Sequence, residues 1–431
     1  MSNTSLSKKS FFGAAIGTLV EYYDYALFNT FIALIAPLFL PAETIYQSLI
    51  KGYFLILITA IARPFGGLVF GYLGDAVGRR NALLTSMYGI AFATFMIGFT
   101  PSYFTIGIFA TIILFTAKTI QLFCFGGEFN GAAIYVIEHA QNKHEGLMGG
   151  LIAAITLVGS LLASLIGWIL TLKGMPVWSW RIAFIIGGTI GIFGIFYRKN
   201  MLDPPKFIQA NLQNHRFLIL LKHYPKELIV GFFIGAYATI PFTTVIVFIN
   251  PVLMSKGYFT NHTLMFFQVL LSFFGIFSLI AIGALSDKIS PVKIIRISCL
   301  LLILFSYPLL YLVDHGNIFG IFIAEISFIF INEILLGAAN TYLKNLFPMQ
   351  YRYRAISFSF CLGMSVLGGL TPLVESSLYK LSGHFSIIYL WLSLISIGTL
   401  CSLHFIKKKN SVARIVNPVI WPFVSFQHKD R

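Results

Sequence analysis

Four charged side chains stand inside long apolar stretches of this sequence. Glu21 and Asp24 lie in the first stretch, Arg63 in the second and Lys118 in the fourth. If these stretches cross a membrane, each charge costs about 2.5 to 3.5 kcal/mol at the helix centre and needs a partner or a wet cavity. At 1.5 Å per residue all four lie roughly 15 to 20 Å deep, so we expect them to meet near the membrane centre.

The spacing of the polar residues supports a common cavity. Glu21 and Asp24 are three residues apart and share a helix face, as do Lys118 and Gln121, and Glu128 follows seven residues after Gln121. One interpretation is a structural ion-pair cluster that holds three helices together. The other is that some of these groups carry a proton or contact substrate, as charges near the membrane centre do in secondary transporters.

Polar residues of the second half of the chain differ in kind. No Lys or Arg is predicted near the membrane centre there. The buried polar candidates are Tyr237, Glu325, Asn332, Glu333 and Glu375.

Composition identifies the elements that position these residues. The 431 residues are 57% hydrophobic, 16% aromatic and only 10% charged, so most of the surface must face lipid. Apolar stretches of about 20 residues match the length at which an α-helix crosses the hydrocarbon layer. We therefore predict an all-α membrane protein with twelve transmembrane helices. The predicted spans are 11–40, 50–73, 82–100, 105–138, 148–171, 181–198, 227–253, 263–285, 293–312, 317–344, 355–378 and 385–406.

The spans divide into two sets of six. We predict an N-terminal six-helix bundle at 1–198, a cytoplasmic linker at 199–226, a C-terminal six-helix bundle at 227–406 and a cytoplasmic tail at 407–431. The loop sequence GYLGDAVGRR after span 2 has a degraded echo, GALSDKIS, after span 8, which indicates an internal duplication.

The distribution of Lys and Arg predicts the orientation. Of the 30 cations, 23 fall on the side of the two termini, with Arg198 counted among the linker cations, and five on the other side. This asymmetry places both termini in the cytoplasm and leaves Arg63 and Lys118 as the cations within spans. The net charge of +15 is then explained by topology and lipid headgroups, and no nucleic-acid partner is expected.

Motifs for other chemistry are missing from the sequence. It contains no GxxxxGK[ST], HExxH, GxSxG or CxxC pattern, so we expect no enzyme activity, no metal site and no cofactor. A proton gradient is the expected energy source. The expected partners are a small-molecule substrate, protons and the lipid bilayer of the plasma membrane (the inner membrane if the source is bacterial), and no oligomer is required.

Four sequence stretches carry a family resemblance. They are GTLVEYYDYALF at 17–28, ARPFGGLVFGYLGDAVGRR at 62–80, KTIQLFCFGGEFNGAAIYVIEHA at 118–140 and LFPMQYRYRAIS at 346–357. The chain resembles the major facilitator superfamily, and within it the metabolite:proton symporters that include proline/betaine, α-ketoglutarate, citrate and shikimate carriers. The resemblance extends over all twelve predicted helices.

This resemblance implies a cytoplasmic gate at the loop motif. The motif residues Gly71, Asp75, Gly78, Arg79 and Arg80 are implied to lock the two halves together. A carboxylate there can accept a hydrogen bond from the N-terminal end of a helix in the other half. Two residues of the second half complete the predicted gate, Asp287 in the echo and Arg352 in the last of the four stretches.

Three departures from the family pattern affect this prediction. Lys118 stands where the family usually has Arg. Lys keeps the positive charge but lacks the bidentate guanidinium that recognises a carboxylate. Glu145 stands where an Arg is usual, so one inner-gate ion pair is either missing or inverted. In the echo, Ser290 and the Pro that follows replace Gly-Arg, so Asp287 is the residue of the motif that can still be recognised.

The predicted mechanism is alternating access by two rocking halves around a central site. Glu21, Asp24 or Glu128 is the predicted proton carrier, and Arg63 or Lys118 sets its proton affinity and pairs with a substrate carboxylate. Span 5 lacks the proline motif of drug antiporters in this superfamily, which favours symport.

The predicted substrate is a small zwitterion such as proline or betaine. Its carboxylate would meet a cation of the first half, and its ammonium an acid or aromatic face of the second half, where Tyr237, Asn332 and Glu333 are the candidates. A proton-coupled carrier of an organic acid, such as α-ketoglutarate, citrate or another dicarboxylate, is the alternative. A transporter-like sensor or a passive facilitator is the alternative from another class.

Overall fold

A computed structural model describes residues 8–139, 144–199, 217–315 and 318–406. These residues are overwhelmingly helical, and the described part of the chain contains no β-strand, so the all-α prediction is confirmed. Most of the predicted linker and the predicted tail at 407–431 lie outside the described residues.

The long helices are labelled α1 to α12 in chain order. Their bounds are Lys8–Thr30 continued by Ile32–Phe39 (α1), Ile45–Ala60 continued by Ala62–Ala76 (α2), Arg79–Phe99 (α3), Ile108–His139 (α4), Glu145–Leu170 (α5), Trp180–Arg198 (α6), Pro225–Thr243 continued by Thr244–Ile249 and Asn250–Ser255 (α7), Asn261–Ser286 (α8), Pro291–His315 (α9), Ile318–Leu346 (α10), Arg352–Gly363 continued by Met364–Gly368 and Gly369–Ser382 (α11), and Tyr389–Phe405 (α12). Short helices at Tyr103–Ile106, Val177–Ser179, Phe217–His223 and Phe385–Ile388 lie between them.

Eleven described helices, α2 to α12, are long and apolar enough to cross a membrane. Helix α1 is not in this set, and it carries two acids and three tyrosines in its central turns. Large aromatic side chains cover the outside of the molecule, with Phe92 61%, Phe104 77% and Phe109 66% exposed. So much exposed apolar surface is expected only where the solvent is lipid.

Two helices contain π-helical segments near the middle of the molecule. In α7 the segment is Thr244–Ile249, and Pro251 lies two residues after its end. Because Pro251 has no N–H, the carbonyl of Val247 lacks its α-helical donor, and the Tyr53 hydroxyl of α2 donates to it at 2.9 Å. Helix α11 has a π-helical segment at Met364–Gly368. Such segments often mark functional sites.

Helices from residues 8–199, here the first half, pack directly on helices from residues 217–406, the second half. A Cβ on Gly150 of α5 would lie 2.7 Å from the Cα of Gly283 of α8. A Cβ on Gly71 of α2 would lie 2.7 Å from the Cα of Arg354 of α11. Only glycine allows these backbones to approach so closely, so each helix pair forms a tight contact between the halves.

The halves meet at both ends of the molecule. The motif end is the end where α2 runs into α3 and α8 runs into α9, and it is closed by ion pairs. The opposite end is the far end, where Gln268 of α8 accepts a hydrogen bond from Thr30 of α1 at 3.1 Å and from Ser164 of α5 at 3.4 Å. Contacts at both ends enclose the space between the halves.

Candidate functional site

A cavity of about 40 Å³ lies between the two halves and is bounded by α1, α2, α4, α7 and α11. We name it the Arg63 chamber. Its polar lining comes from six residues: Tyr25, Asn29, Arg63, Thr239, Thr243 and Ser365. The remaining lining is apolar, so this wall presents one cation and no acid.

A second, smaller cavity of about 10 Å³ lies on the other side of the contact between α1 and α7. Thr30, Ser164 and Gln268 line it, and these residues also make the hydrogen bonds that join the halves at the far end. The lining of this cavity carries no charged side chain. Of these two cavities, the Arg63 chamber is the one with a charged residue among its described lining residues.

Arg63 and Glu21 form a buried ion pair beside the chamber. The Nη2 of Arg63 donates to Oε1 of Glu21 at 2.7 Å, and both residues are at least 95% buried. The second carboxylate oxygen of Glu21 and the Nε of Arg63 have no hydrogen-bond partner among the described residues. The pair therefore retains unused hydrogen-bonding capacity, and Arg63 brings it to the chamber wall.

Asp24 and Lys118 are linked only indirectly. Thr94 of α3 donates to Oδ2 of Asp24, and Gln121 donates to Thr94 at 3.0 Å. The Nζ of Lys118 donates to Oε1 of Gln121 at 2.6 Å and lies 4.2 Å from the centre of the Phe28 ring. Gln121 therefore stands between the acid and the base, and this network lies inside the first half, away from the chamber.

Glu128 does not join the predicted cluster with Arg63 and Lys118. Its carboxylate is held by Arg198 of α6, with one bond at 2.8 Å, and by the Ser86 hydroxyl at 2.7 Å. The sequence-based assignment of Arg198 to the linker cations is wrong, because this residue is fully buried at the end of α6. The structure thus contains a second buried acid–arginine pair, which is not part of the chamber lining.

Gly17 explains how the first half accommodates Arg198. A Cβ at Gly17 of α1 would lie 1.6 Å from Nη2 of Arg198. The same guanidinium donates to the carbonyls of Gly13 at 3.1 Å and Leu83 at 2.5 Å. Arg198 thus ties together α1, α3, α4 and α6.

The polar residues predicted for the second half are not brought to the Arg63 chamber. The hydroxyl of Tyr237 donates to the Ser298 carbonyl at 2.9 Å, at the contact of α7 and α9. Asn332 and Glu333 are buried on α10, and each has one side-chain oxygen without a described partner. Glu325, two turns earlier, has no partner on either oxygen. Only the threonines of α7 and Ser365 reach the chamber from this half as polar groups.

The predicted gate residue Asp75 contacts the other half at the motif end. Its Oδ2 accepts from the backbone N–H of Arg354 in the first turn of α11 at 3.2 Å, and its Oδ1 accepts from Arg79 at 2.6 Å. The carboxylate of Glu138, at the end of α4, accepts a hydrogen bond from Arg352 at 2.9 Å and lies 3.8 Å from the Arg79 guanidinium. Asp75 and Glu138 thus join α2, α3 and α4 to the start of α11.

At the echo motif, an aspartate of the second half makes the corresponding contact with a helix start of the first half. Asp287 accepts from the backbone N–H groups of Gly146 at 2.6 Å and Leu147 at 2.9 Å, in the first turn of α5. Beside them, Lys344 of α10 donates to Glu145 at 2.5 Å. Of the two alternatives left open by the sequence, the inverted ion pair is present: here the helix start carries the acid and the helix end carries the base.

The remaining motif residues have backbone or local roles. Gly78 adopts φ 121°, a conformation that favours glycine, at the turn between α2 and α3. Gly71 permits the close approach of α11. Arg80 donates to the carbonyl of Lys199 after α6, a contact that joins α3 to the end of α6 within the first half.

Several site residues were missed by sequence reasoning. Asn29, Thr239, Thr243 and Ser365 line the chamber, but a single threonine, serine or asparagine in an apolar helix is a weak signal. Asn29 lies two turns after Glu21, so helix periodicity could have predicted that the two residues share a helix face. The π-helical segments that carry Ser365 and border Thr243 could not be placed from local sequence alone.

Comparisons with known proteins agree with this architecture. The sequence profile of the Major Facilitator Superfamily matches residues 14–372. A candidate proline/betaine transporter of Staphylococcus aureus (strain COL) is 29% identical over 398 residues, which cover 89% of this chain and 84% of the relative. The glycine betaine/proline/ectoine/pipecolic acid transporter OusA of Dickeya dadantii is 26% identical over 420 residues, or 93% and 83% of the two chains.

A solved structure shows the same fold. The proton:xylose symporter XylE superimposes with a TM-score of 0.78 over 94% of this chain and 97% of its own, at 12% sequence identity. The relatives confirm the predicted resemblance to metabolite symporters of the proline/betaine type. Eleven helices among the described residues can cross a membrane, and with these relatives the protein is a multi-pass transporter of the plasma membrane. The chain belongs to the Major Facilitator Superfamily.

Proposed function

We propose that this transporter is a proton-coupled symporter of a small zwitterionic solute such as proline or betaine, working by alternating access. The observation that carries the proposal is the Glu21–Arg63 ion pair, at 2.7 Å, beside a chamber that both halves line. The names of the relatives support the substrate class.

Coupling follows from the balance of charge beside the chamber. When Glu21 is ionised, its charge compensates that of Arg63, and a substrate carboxylate gains little binding energy beside Arg63. Protonation of Glu21 leaves Arg63 as an uncompensated buried charge, which costs several kcal/mol until a carboxylate replaces the lost partner. The favoured states are therefore the empty site with ionised Glu21, and the loaded site with both proton and substrate.

The chamber supports a single carboxylate better than two. Among the described residues, Arg63 is the one charged residue that lines it, and Lys118 is bound to Gln121 outside the lining. Tyr25 offers an aromatic face for the cationic group of a zwitterion. An organic acid remains the alternative substrate class, and a monocarboxylate would match this lining better than the dicarboxylates.

We extend the proposal to the topology of the chain. Helix α1 is proposed to cross the membrane as the twelfth span, since its two acids are compensated by Arg63 and by the Thr94 and Gln121 network. Both termini and the motif end are proposed to face the cytoplasm. Residues 1–198 and 227–406 are proposed as the two rocking bundles, joined by 199–226, with no oligomer required.

Uptake into proteoliposomes tests the proposal. An imposed inward proton gradient should drive accumulation of radiolabelled proline or betaine, and a protonophore should abolish it. Glu21→Gln should lose accumulation but retain counterflow, because a neutral side chain frees Arg63 for the substrate without a proton. Asp24→Asn is the matched control and should retain both, because Asp24 lies away from the chamber.

Other outcomes would identify the alternatives. Gradient-driven uptake of an organic acid, with none of proline or betaine, would replace the substrate class. Substrate equilibration that ignores the protonophore would indicate a passive facilitator. Solute binding without any flux would favour a sensor, and unchanged accumulation by Glu21→Gln would contradict the assignment of the proton carrier.

A further inference from the structure

Four unpaired polar atoms of the Arg63 chamber come from both halves. They are the Nε of Arg63, the Nδ2 of Asn29, the Oγ1 of Thr243 and the Oγ of Ser365, and none makes a well-aligned hydrogen bond in the described part of the chain, although Asn29 and Thr243 both interact with the Tyr25 hydroxyl. Their residues are at least 95% buried and line the same cavity. Other described side chains also carry buried atoms without partners, but these four are grouped around one cavity, where a bound group can satisfy them together.

We propose that these four groups form one carboxylate subsite shared by the two halves. Arg63 and Asn29 supply N–H donors, and the hydroxyls of Thr243 and Ser365 can donate as well. No acid lines the chamber, so the groups match an acceptor that carries negative charge and several lone pairs. The inference rests on the proposed function and specifies which chemical group of the substrate the site binds.

Location gives the subsite a role in closing the transporter. Asn29 and Arg63 stand on α1 and α2, whereas Thr243 and Ser365 stand on α7 and α11. Thr243 directly precedes the π-helical segment of α7, and Ser365 lies within that of α11. A carboxylate that accepts from all four joins the halves across the chamber, so binding favours the occluded state.

The donor arrangement also predicts selectivity between an acid and its amide. An amide carries no charge and directs an NH2 group toward a set of donors. A site built to hydrogen-bond one group rejects an analogue that leaves its polar groups unpaired. L-Prolinamide should therefore compete far less well than L-proline. A purely hydrophobic chamber would discriminate less strongly between these two solutes.

Binding to the full-length protein in nanodiscs tests the subsite. We expect Thr243→Val and Ser365→Ala to weaken L-proline binding by about 3- to 10-fold each, the usual effect of one lost hydrogen bond. Asn29→Asp keeps the shape but replaces a donor with a negative oxygen, and should weaken binding by more than about 10-fold. Ser306→Ala is the matched control, because Ser306 is also buried and unpaired but lies on α9 outside the chamber. Its binding should equal that of the wild type.

Two results would overturn the subsite. One is unchanged affinity in all three chamber variants, checked for folding by gel filtration and unfolding temperature. The other is binding confined to solutes without a carboxylate. If proline and betaine fail but α-ketoglutarate binds, the proposed substrate is wrong, and the same variants then test the subsite with α-ketoglutarate as the probe.

Discussion

Arg63 and Arg198 are both buried arginines paired with an acid on a neighbouring helix, yet their surroundings differ. Arg63 keeps an unpaired Nε at the wall of a cavity. Arg198 uses its guanidinium on Glu128 and on two backbone carbonyls, with no chamber beside it. The first pair has capacity for a substrate, whereas the second is saturated and serves the packing of the first half.

This contrast predicts a stability effect at Glu128. Glu128→Gln leaves the fully buried Arg198 without its counter-charge, and breaking one partner of such a pair typically costs about 3 to 5 kcal/mol. Denaturant unfolding of the purified protein should show this loss, whereas proton coupling of the protein that remains folded should persist. The double variant Glu128→Leu/Arg198→Met, which removes both charges, should recover much of the stability. Equal stability of Glu128→Gln and wild type would contradict a structural role.

The helices themselves were predictable because a membrane span needs about 20 apolar residues, and that requirement is readable from sequence. Spans such as 227–253 and 317–344 match α7 and α10 to within a few residues. Which face each polar residue presents was less predictable. Glu128 shares a helix with Lys118 and Gln121, but Gly17 opens space for Arg198 on a different helix, and such pairwise fit is not visible in local patterns.

The start of α5 and the end of α10 provide a prediction about helix contacts. Glu145→Lys places two cations together where Lys344 now donates at 2.5 Å, at a partly buried position. This weakens closure at the motif end, and a shift of ~1 kcal/mol changes the conformational equilibrium about 5-fold. We expect a several-fold lower counterflow rate, restored in Glu145→Lys/Lys344→Glu. A double variant as slow as the single one would exclude the ion pair as the cause.

At the scale of the whole molecule, the two halves use the same aspartate contact twice. Asp75 holds the first turn of α11, and Asp287 holds the first turn of α5. In the ion pairs beside them, the acid stands at the end of α4 in one and at the start of α5 in the other, where Glu138 accepts from Arg352 and Glu145 accepts from Lys344. In both pairs the first half supplies the acid and the second half the base, so closure of the motif end joins an acidic surface of one half to a basic surface of the other. The internal duplication predicted this geometry, whereas the sign of each pair required the structure.

Charge balance across the whole transport cycle yields a prediction that separates the two substrate classes. If Glu21 carries one proton for each carboxylate bound at Arg63, a zwitterion moves with a net charge of +1 and a monocarboxylate moves with none. An inside-negative potential of 100 mV then contributes about 2.3 kcal/mol to zwitterion uptake, roughly a 50-fold gain in accumulation. We expect valinomycin-generated potentials to drive betaine accumulation at equal pH on both sides. Lactate serves as the monocarboxylate comparison and should accumulate only in a pH gradient. Betaine accumulation that follows the pH gradient but ignores the potential would contradict a coupling of one proton to each solute.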